Sequence, residues 1–273
     1  AAALERHAQA EPGRLVRAVE LVRAEDLINY KGSDGVRFFL KITLWNHERL
    51  SRVRGWFEDE RELGGARFAR QTFESQISYP LRFMIDRGVI GMGWVTAPGG
   101  AYELLGEEAC VSRCGTELAL PAERLRAHAL DEPGFNDIAP LRILSFDIEV
   151  CNRVHFPDAQ EDPVITIGAV CKLHSARRES ARVVLQLGAC EALLDVDLRT
   201  FEGEEALLAA FDRLLLTYDP DVVSGYNTSN FDFPYLFNRR QRLGAAPASW
   251  GRLRDVETRL SKGRFMSKAM GFR

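Results

Sequence analysis

No apolar run in the chain is long enough to cross a bilayer. The longest, over residues 164–171, is well under half of the ~18–20 residues a membrane-spanning helix needs. Cysteine and histidine are scarce, at five each. The cysteines (Cys110, Cys114, Cys151, Cys171 and Cys190) form no CxxC pair, which argues against a structural zinc site. An odd number of thiols fits a reducing compartment, and each is most simply a small buried hydrophobe or a bystander. The opening residues, AAALERHAQAEPGR, have neither the basic start nor the apolar stretch of a secretory signal. They also lack an initiator Met, so the chain is expected to begin inside a longer protein. No internal repeat or low-complexity block interrupts it. With 46% apolar and 27% charged residues, disordered, collagen-like and coiled-coil classes are excluded. The 273 residues suffice for one large domain or two ordinary ones.

What is present is a patterned globular chain. Residues 14–22 and 36–44 read as strands around the turn-like KGSDG at 31–35. Residues 46–63 read as a helix capped by Asn46, striped by Leu50, Val53 and Phe57, and stopped by Gly64 and Gly65. A second helix is expected within 73–86 around Pro80, then a strand over 89–95 and a turn at Pro98, Gly99 and Gly100. The stretch from Asp131 to Pro140 is the expected boundary between an N-terminal α+β domain, 1–140, and a second domain, 141–273. In the second, 141–150, 164–173 and 182–187 read as an antiparallel meander. Residues 202–217 form an amphipathic helix with Leu207, Ala210, Phe211 and Leu214 on one face. A short strand over 221–226 and a helix over 233–243, with Pro234 in its first turn and Gly244 past its end, complete a mixed α/β fold class.

Within this frame, FDIE at 146–149 puts Asp147 and Glu149 on one face of a strand, roughly 7 Å apart, with Phe146 and Ile148 on the other. Paired carboxylates on a core strand lose hydration and repel, and a divalent cation is one compensation. Taken alone, such a pair is more often an exposed edge. GYNTSNFDFP at 225–234 lies at a strand-to-helix junction, where Asp232 can point back over the sheet towards those two acids. Asp232 could equally serve the helix N-terminus, and Asn227 and Asn230 could simply build the turn. Neither accounts for three acids converging.

FDIE followed some 80 residues later by GYNxxNFD resembles the first two exonuclease motifs of the family B DNA polymerases. The likeness extends through EDLINYKG, FLKITL, FESQISYPLRFMIDRGVIGMGWV, IAPLRILSFDIE, DPVITIGAV, DPDVVSGYNTSNFDFPYLFNRR and FMSKAMGFR. It covers nearly the whole chain after Arg14 and points to the delta-type catalytic subunits of eukaryotes. One departure is Val150, which stands before Cys151 where many delta-type relatives place Cys directly after the Glu. That position is not a ligand.

The resemblance implies a ribonuclease-H-like 3′→5′ exonuclease domain preceded by a domain with OB-like strands. It makes Asp147, Glu149 and Asp232 catalytic residues and ligands of two Mg²⁺ ions, which Mn²⁺ can replace; oxygen donors suit such hard cations. Asn227 would orient the site or contact DNA. Phe231 could stack on a frayed base, although core packing beneath the motif is the simpler reading. The segment 238–273 carries ten Lys and Arg against Asp255 and Glu257. Arg264 and Lys268 are its expected DNA contacts, with Arg239, Arg240 and Arg242 as further candidates for guiding the primer strand by phosphate contact. Implied partners are DNA with a single-stranded primer 3′ end, accessory polymerase subunits and a sliding clamp, in the nucleus and away from membranes.

The third motif of this nuclease, YxxxD, matches only Tyr30 to Asp34, upstream in a Gly-rich turn, and no histidine opens the related HxxxxD. The fourth ligand is therefore expected beyond Arg273, and the 273-residue piece is expected to be inactive by itself. The alternative from another class is a non-catalytic nucleic-acid-binding or structural module. A stand-alone nuclease fits the polymerase-like first 140 residues less well.

Overall fold

The computed structural model describes residues 15–25, 36–59, 62–63, 66–67, 72–152 and 156–261. They form two compact units, one of residues up to Thr96 with 126–128, the other of 97–125 with 129 onward.

In the first unit β1 (Val16–Glu25) pairs antiparallel with β2 (Val36–Leu44), as their β-branched and aromatic runs predict. Asn46 accepts the Glu48 amide at 2.8 Å and opens a 3₁₀ turn that leads into α1 (Leu50–Glu58). Val53 and Trp56 of α1 bury against Val16, Leu44 and Ile42. The helix ends at Glu58, short of the expected Leu63, and Gly64 and Gly65 lie outside the described residues. In α2 (Tyr79–Arg87) Pro80 sits in the first turn, and Gly88, at φ 65°, caps the end. The strand expected over 89–95 is replaced by a tight turn with Met92 at φ 62°; only Val95–Thr96 is extended. A Cβ on Gly93 would stand 2.5 Å from Ile90, so the turn closes on a position that needs glycine.

The second unit is built on a five-stranded mixed sheet. Strands β3 (Arg142–Val150), β4 (Val164–Leu173) and β5 (Ala181–Leu187) form the expected antiparallel meander. A further strand, β6 (Asp197–Phe201), runs parallel to β5 at one edge. Helix α3 (Glu204–Tyr218) leads to β7 (Val222–Ser224), parallel to β3 at the other edge, and then to α4 (Asp232–Leu243), ended by Gly244 at φ 68°. Leu144, Phe146 and Ile148 of β3, Ile167 of β4, Leu185 of β5 and Leu207, Leu208 and Phe211 of α3 make one core. The Trp250 ring lies 5.0–5.9 Å from Phe237, Phe211 and Phe233, and its indole N–H donates to Asp212 at 2.7 Å.

The pattern places residues 97–140 with the N-terminal strands, but 97–125 group with the second unit. The cause is a hook. Ser112 bridges Leu253, the Arg113 amide donates to the Arg252 carbonyl, and the Arg113 guanidinium reaches Ser249. Among the described residues no helix is long and apolar enough to cross a membrane.

Candidate functional site

The site begins with alternation along β3. Leu144, Phe146 and Ile148 are buried, whereas Ser145, Asp147 and Glu149 are exposed on the opposite face. Opposite Asp147 on β4 stands Gly168, and a Cβ there would meet nothing within 4 Å. The cross-strand neighbour of the acid therefore leaves the space over the sheet open.

On the other side, β7 pairs with β3 only as far as Ser224, opposite Ser145. Gly225 then passes so close to β3 that a Cβ on it would lie 2.4 Å from the Phe146 carbonyl oxygen. Asn227 turns the chain in the left-handed region at φ 56°, and its carbonyl accepts the amides of Asn230 and Phe231. Its side-chain oxygen takes a bond from Asn230 Nδ2 at 2.9 Å. This turn delivers Asp232, the first residue of α4, to the edge of β3 that β7 has left uncovered.

Asp232 is 1% exposed, and its Oδ1 accepts the Ile148 amide at 3.1 Å, a donor with no strand partner on that side. The Asp147 carboxyl lies within hydrogen-bonding reach of it. Burial holds the Asp232 carboxyl above the ordinary carboxylate range, and the like charge of Asp147 pushes the same way. The structure thus brings two of the three predicted acids together. Glu149 stays on the exposed face one step along β3. Among the described residues no three His, Cys, Asp or Glu side chains cluster tightly enough to hold a metal ion.

A desolvated carboxylate facing a second one, with only oxygen donors, is the chemistry a hard divalent cation satisfies. The residues present fit such an ion at the Asp147–Asp232 pair.

At the start of α4 lies an open groove of about 430 Å³, lined by Phe156, Ala159, Asn230, Phe231, Pro234 and Tyr235 among others. Phe231 is half-buried, with its ring 5.7 Å from that of Phe156 and 5.5 Å from that of Tyr235. Phe156 is 79% exposed, so a large apolar ring faces solvent beside Phe231, the residue that precedes Asp232. A single Phe in a Pro- and Asp-containing loop carries no periodic signal, and only its position one strand-end after FDIE could draw attention to it.

The basic residues divide differently from the charge pattern. Arg239 is buried and pairs with Glu204 at 2.7 Å, and Arg240 makes two bonds to Asp212 at 3.0 and 2.9 Å. Arg242 donates to the Gln160 carbonyl at 3.2 Å. Arg239 and Arg240 are thereby committed within the fold and do not face a phosphate; their partners lie 35 and 28 residues away, beyond any local pattern. Arg264 and Lys268 lie outside the described residues, as do Tyr30 and Asp34.

A second network steadies the start of β7. Arg252 donates to Asp219 at 2.7 Å and Asp221 at 2.6 Å, Arg142 pairs with Asp219, and the Arg142 amide donates to Asp221 at 2.8 Å. Arg252 holds the Asp219 carboxyl below its usual range; the Arg142 amide, then Arg252, does the same for Asp221. A carboxylate depressed in the folded state adds stability above its unfolded pKa, which is lost as pH falls through the folded value. Arg252→Ala is therefore expected to be less stable than wild type at neutral pH, with the gap closing below about pH 4. Urea midpoints at both pH values check this, and a gap that widens in acid would contradict it.

Residues 70–273 match the family model described as DNA polymerase family B, exonuclease domain. The DNA polymerase delta catalytic subunit of Arabidopsis thaliana is 33% identical, over 98% of this chain and 24% of its own length. That of Bos taurus is 34% identical, over 96% of this chain and 24% of its own length. The chain thus spans about a quarter of these relatives. The structure of the family B DNA polymerase from the hyperthermophilic archaeon Pyrobaculum calidifontis superposes with a TM-score of 0.56 at 26% identity, covering 90% of this chain and 26% of that one.

Proposed function

The chain belongs to the family B DNA polymerases, with their exonuclease domain over residues 70–273, and from that premise we propose that it removes nucleotides from the 3′ end of a DNA strand during proofreading. The observation that carries the reading is the Asp147–Asp232 apposition at the uncovered edge of β3, below an open sheet face.

In this reading Asp147, Glu149 and Asp232 hold two divalent cations, Mg²⁺ with Mn²⁺ as a substitute, and are the catalytic residues. Bound there, the ions would supply a water of lowered pKa and neutralise charge at the phosphate. Water oxygen bonds to the terminal phosphorus, the bond to the preceding 3′ oxygen breaks, and that oxygen takes a proton, releasing a deoxynucleoside 5′-monophosphate. Asp232 is fixed by the Ile148 amide, so it enters the reaction with its orientation already set. Asn227 holds the turn that places it, beside the strand's path.

The Phe156–Phe231 groove receives the terminal base, which aromatic faces bind without regard to sequence. Phe156→Ala is expected to weaken single-stranded oligonucleotide binding by ~1–3 kcal/mol, the value of one stacked base. A fluorescence-anisotropy titration measures this, and unchanged affinity would remove Phe156 from the strand's path. Arg264 and Lys268 would add phosphate contacts.

Further parts of the reading follow the relatives named delta catalytic subunits. They are DNA synthesis by the whole protein, a nuclear location, and accessory subunits and a sliding clamp as partners.

The test of proofreading compares primers with paired and mispaired 3′ ends, digested by the full-length protein with Mg²⁺. Faster loss of the mispaired terminus supports the reading. Equal loss of both makes the activity a nuclease without editing selectivity.

A further inference from the structure

Three side chains along one face of α4, at positions 235, 239 and 242, reach the same short loop. The Tyr235 hydroxyl donates to the Asp162 carbonyl at 2.8 Å, Arg239 Nη1 to the Ala159 carbonyl at 3.3 Å, and Arg242 Nε to the Gln160 carbonyl at 3.2 Å. Three carbonyls within four residues are thus taken by one helix. Glu204 locks the Arg239 fork with contacts of 2.7–2.9 Å and also accepts the Val164 amide at 2.9 Å, where the loop enters β4.

This loop carries Phe156, and α4 follows directly on Phe231 and begins with Asp232. A single rigid helix therefore sets the acid and both walls of the groove.

We propose that Tyr235, Arg239 and Arg242 are positioning residues that hold the 156–162 loop so that Phe156, edge-on to Phe231 at 5.7 Å, presents its exposed ring to a strand's terminal base. The inference rests on the nuclease reading above and deepens it. Backbone carbonyls on a surface loop would otherwise be satisfied by water, which fixes no geometry. The guanidinium and phenol donors replace that water with groups anchored in the helix. The basic face of α4 thereby works through the groove wall and makes no phosphate contact of its own.

The test uses the full-length protein in EDTA, which stops hydrolysis. It measures binding of a single-stranded oligonucleotide whose 3′-terminal nucleotide is either intact or abasic. Arg242→Ala, at an exposed position, and Arg239→Lys, which keeps the charge, are compared with wild type. Both variants are expected to bind the intact end about 3- to 10-fold more weakly, a partial loss of one base's stacking. Affinity for the abasic end and the slope of log affinity against log salt are expected to stay unchanged. Amide hydrogen exchange over 156–162 is expected to quicken at least about tenfold as the loop opens more often.

Equal weakening on both oligonucleotides, with the salt slope reduced by about 0.7 per residue removed, would mean direct phosphate contact and overturn the proposal. So would faster exchange with unchanged end discrimination, which leaves a purely structural clasp. If wild type itself fails to discriminate the two ends, the groove reading falls, and the positioning role with it. If wild type discriminates and both variants do so equally well, the clasp alone falls.

Discussion

Asp232→Asn is expected to lower 3′→5′ hydrolysis by the full-length protein on the order of 10³-fold, equivalent to ~4 kcal/mol of barrier. The amide retains an oxygen that can accept the Ile148 N–H, so the start of α4 keeps its place. What is lost is the negative charge that a bound cation needs. In chelator the same substitution is expected to leave stability unchanged or raised. Burial and the Asp147 charge both disfavour the Asp232 carboxylate, and without a cation the folded protein bears that cost. Single-turnover digestion of a 3′-labelled oligonucleotide, with urea melts in EDTA, reads both effects. A destabilised but active variant would show that Asp232 is a structural cap and not a ligand.

Gly225→Ala is the second change with a large expected effect. The added Cβ would stand 2.4 Å from the Phe146 carbonyl oxygen and 2.4 Å from Thr228 Cγ2. The first neighbour is backbone in the middle of β3 and has no rotamer to give, so the 225–231 turn must move away from the strand. Overpacking of this kind costs ~1–3 kcal/mol. A displacement near 1 Å at a catalytic group costs about 10²-fold in rate. Reduced urea midpoint and reduced digestion are expected together, with primer extension by the same protein retained. Wild-type digestion by Gly225→Ala would mean that close passage of the turn along β3 does not set the position of Asp232.

Much of this arrangement is legible in the amino-acid order alone. The alternation of buried Phe146 and Ile148 with exposed Asp147 and Glu149 is a period-two pattern that a strand must obey. Helices α3 and α4 declare themselves by apolar spacing, Pro234 and Gly244. Strand β6 escapes such a reading because DLRTF is short, polar and half-solvated, a feature of edge strands. The run 89–95 looks extended by composition, but Gly91, Met92 and Gly93 turn it.

The basic residues of α4 show where local pattern misleads. A local excess of Arg looks like a DNA-facing surface, yet Arg239 pairs with Glu204 and Arg240 with Asp212 on another helix. Burial of a charge is decided by distant partners, and local spacing carries none of that information. The same holds for Phe156, whose contact with Phe231 joins two loops separated by 75 residues of chain.

Proofreading hydrolysis at the Asp147–Asp232 site is measured most directly by product analysis on a single-stranded oligonucleotide digested by the full-length protein. Deoxynucleoside 5′-monophosphates are expected to be released one at a time from the 3′ end, dependent on Mg²⁺ or Mn²⁺, with release abolished by Asp147→Ala while primer extension survives. Undiminished digestion by the Asp147→Ala protein, or digestion that proceeds in EDTA, would contradict it.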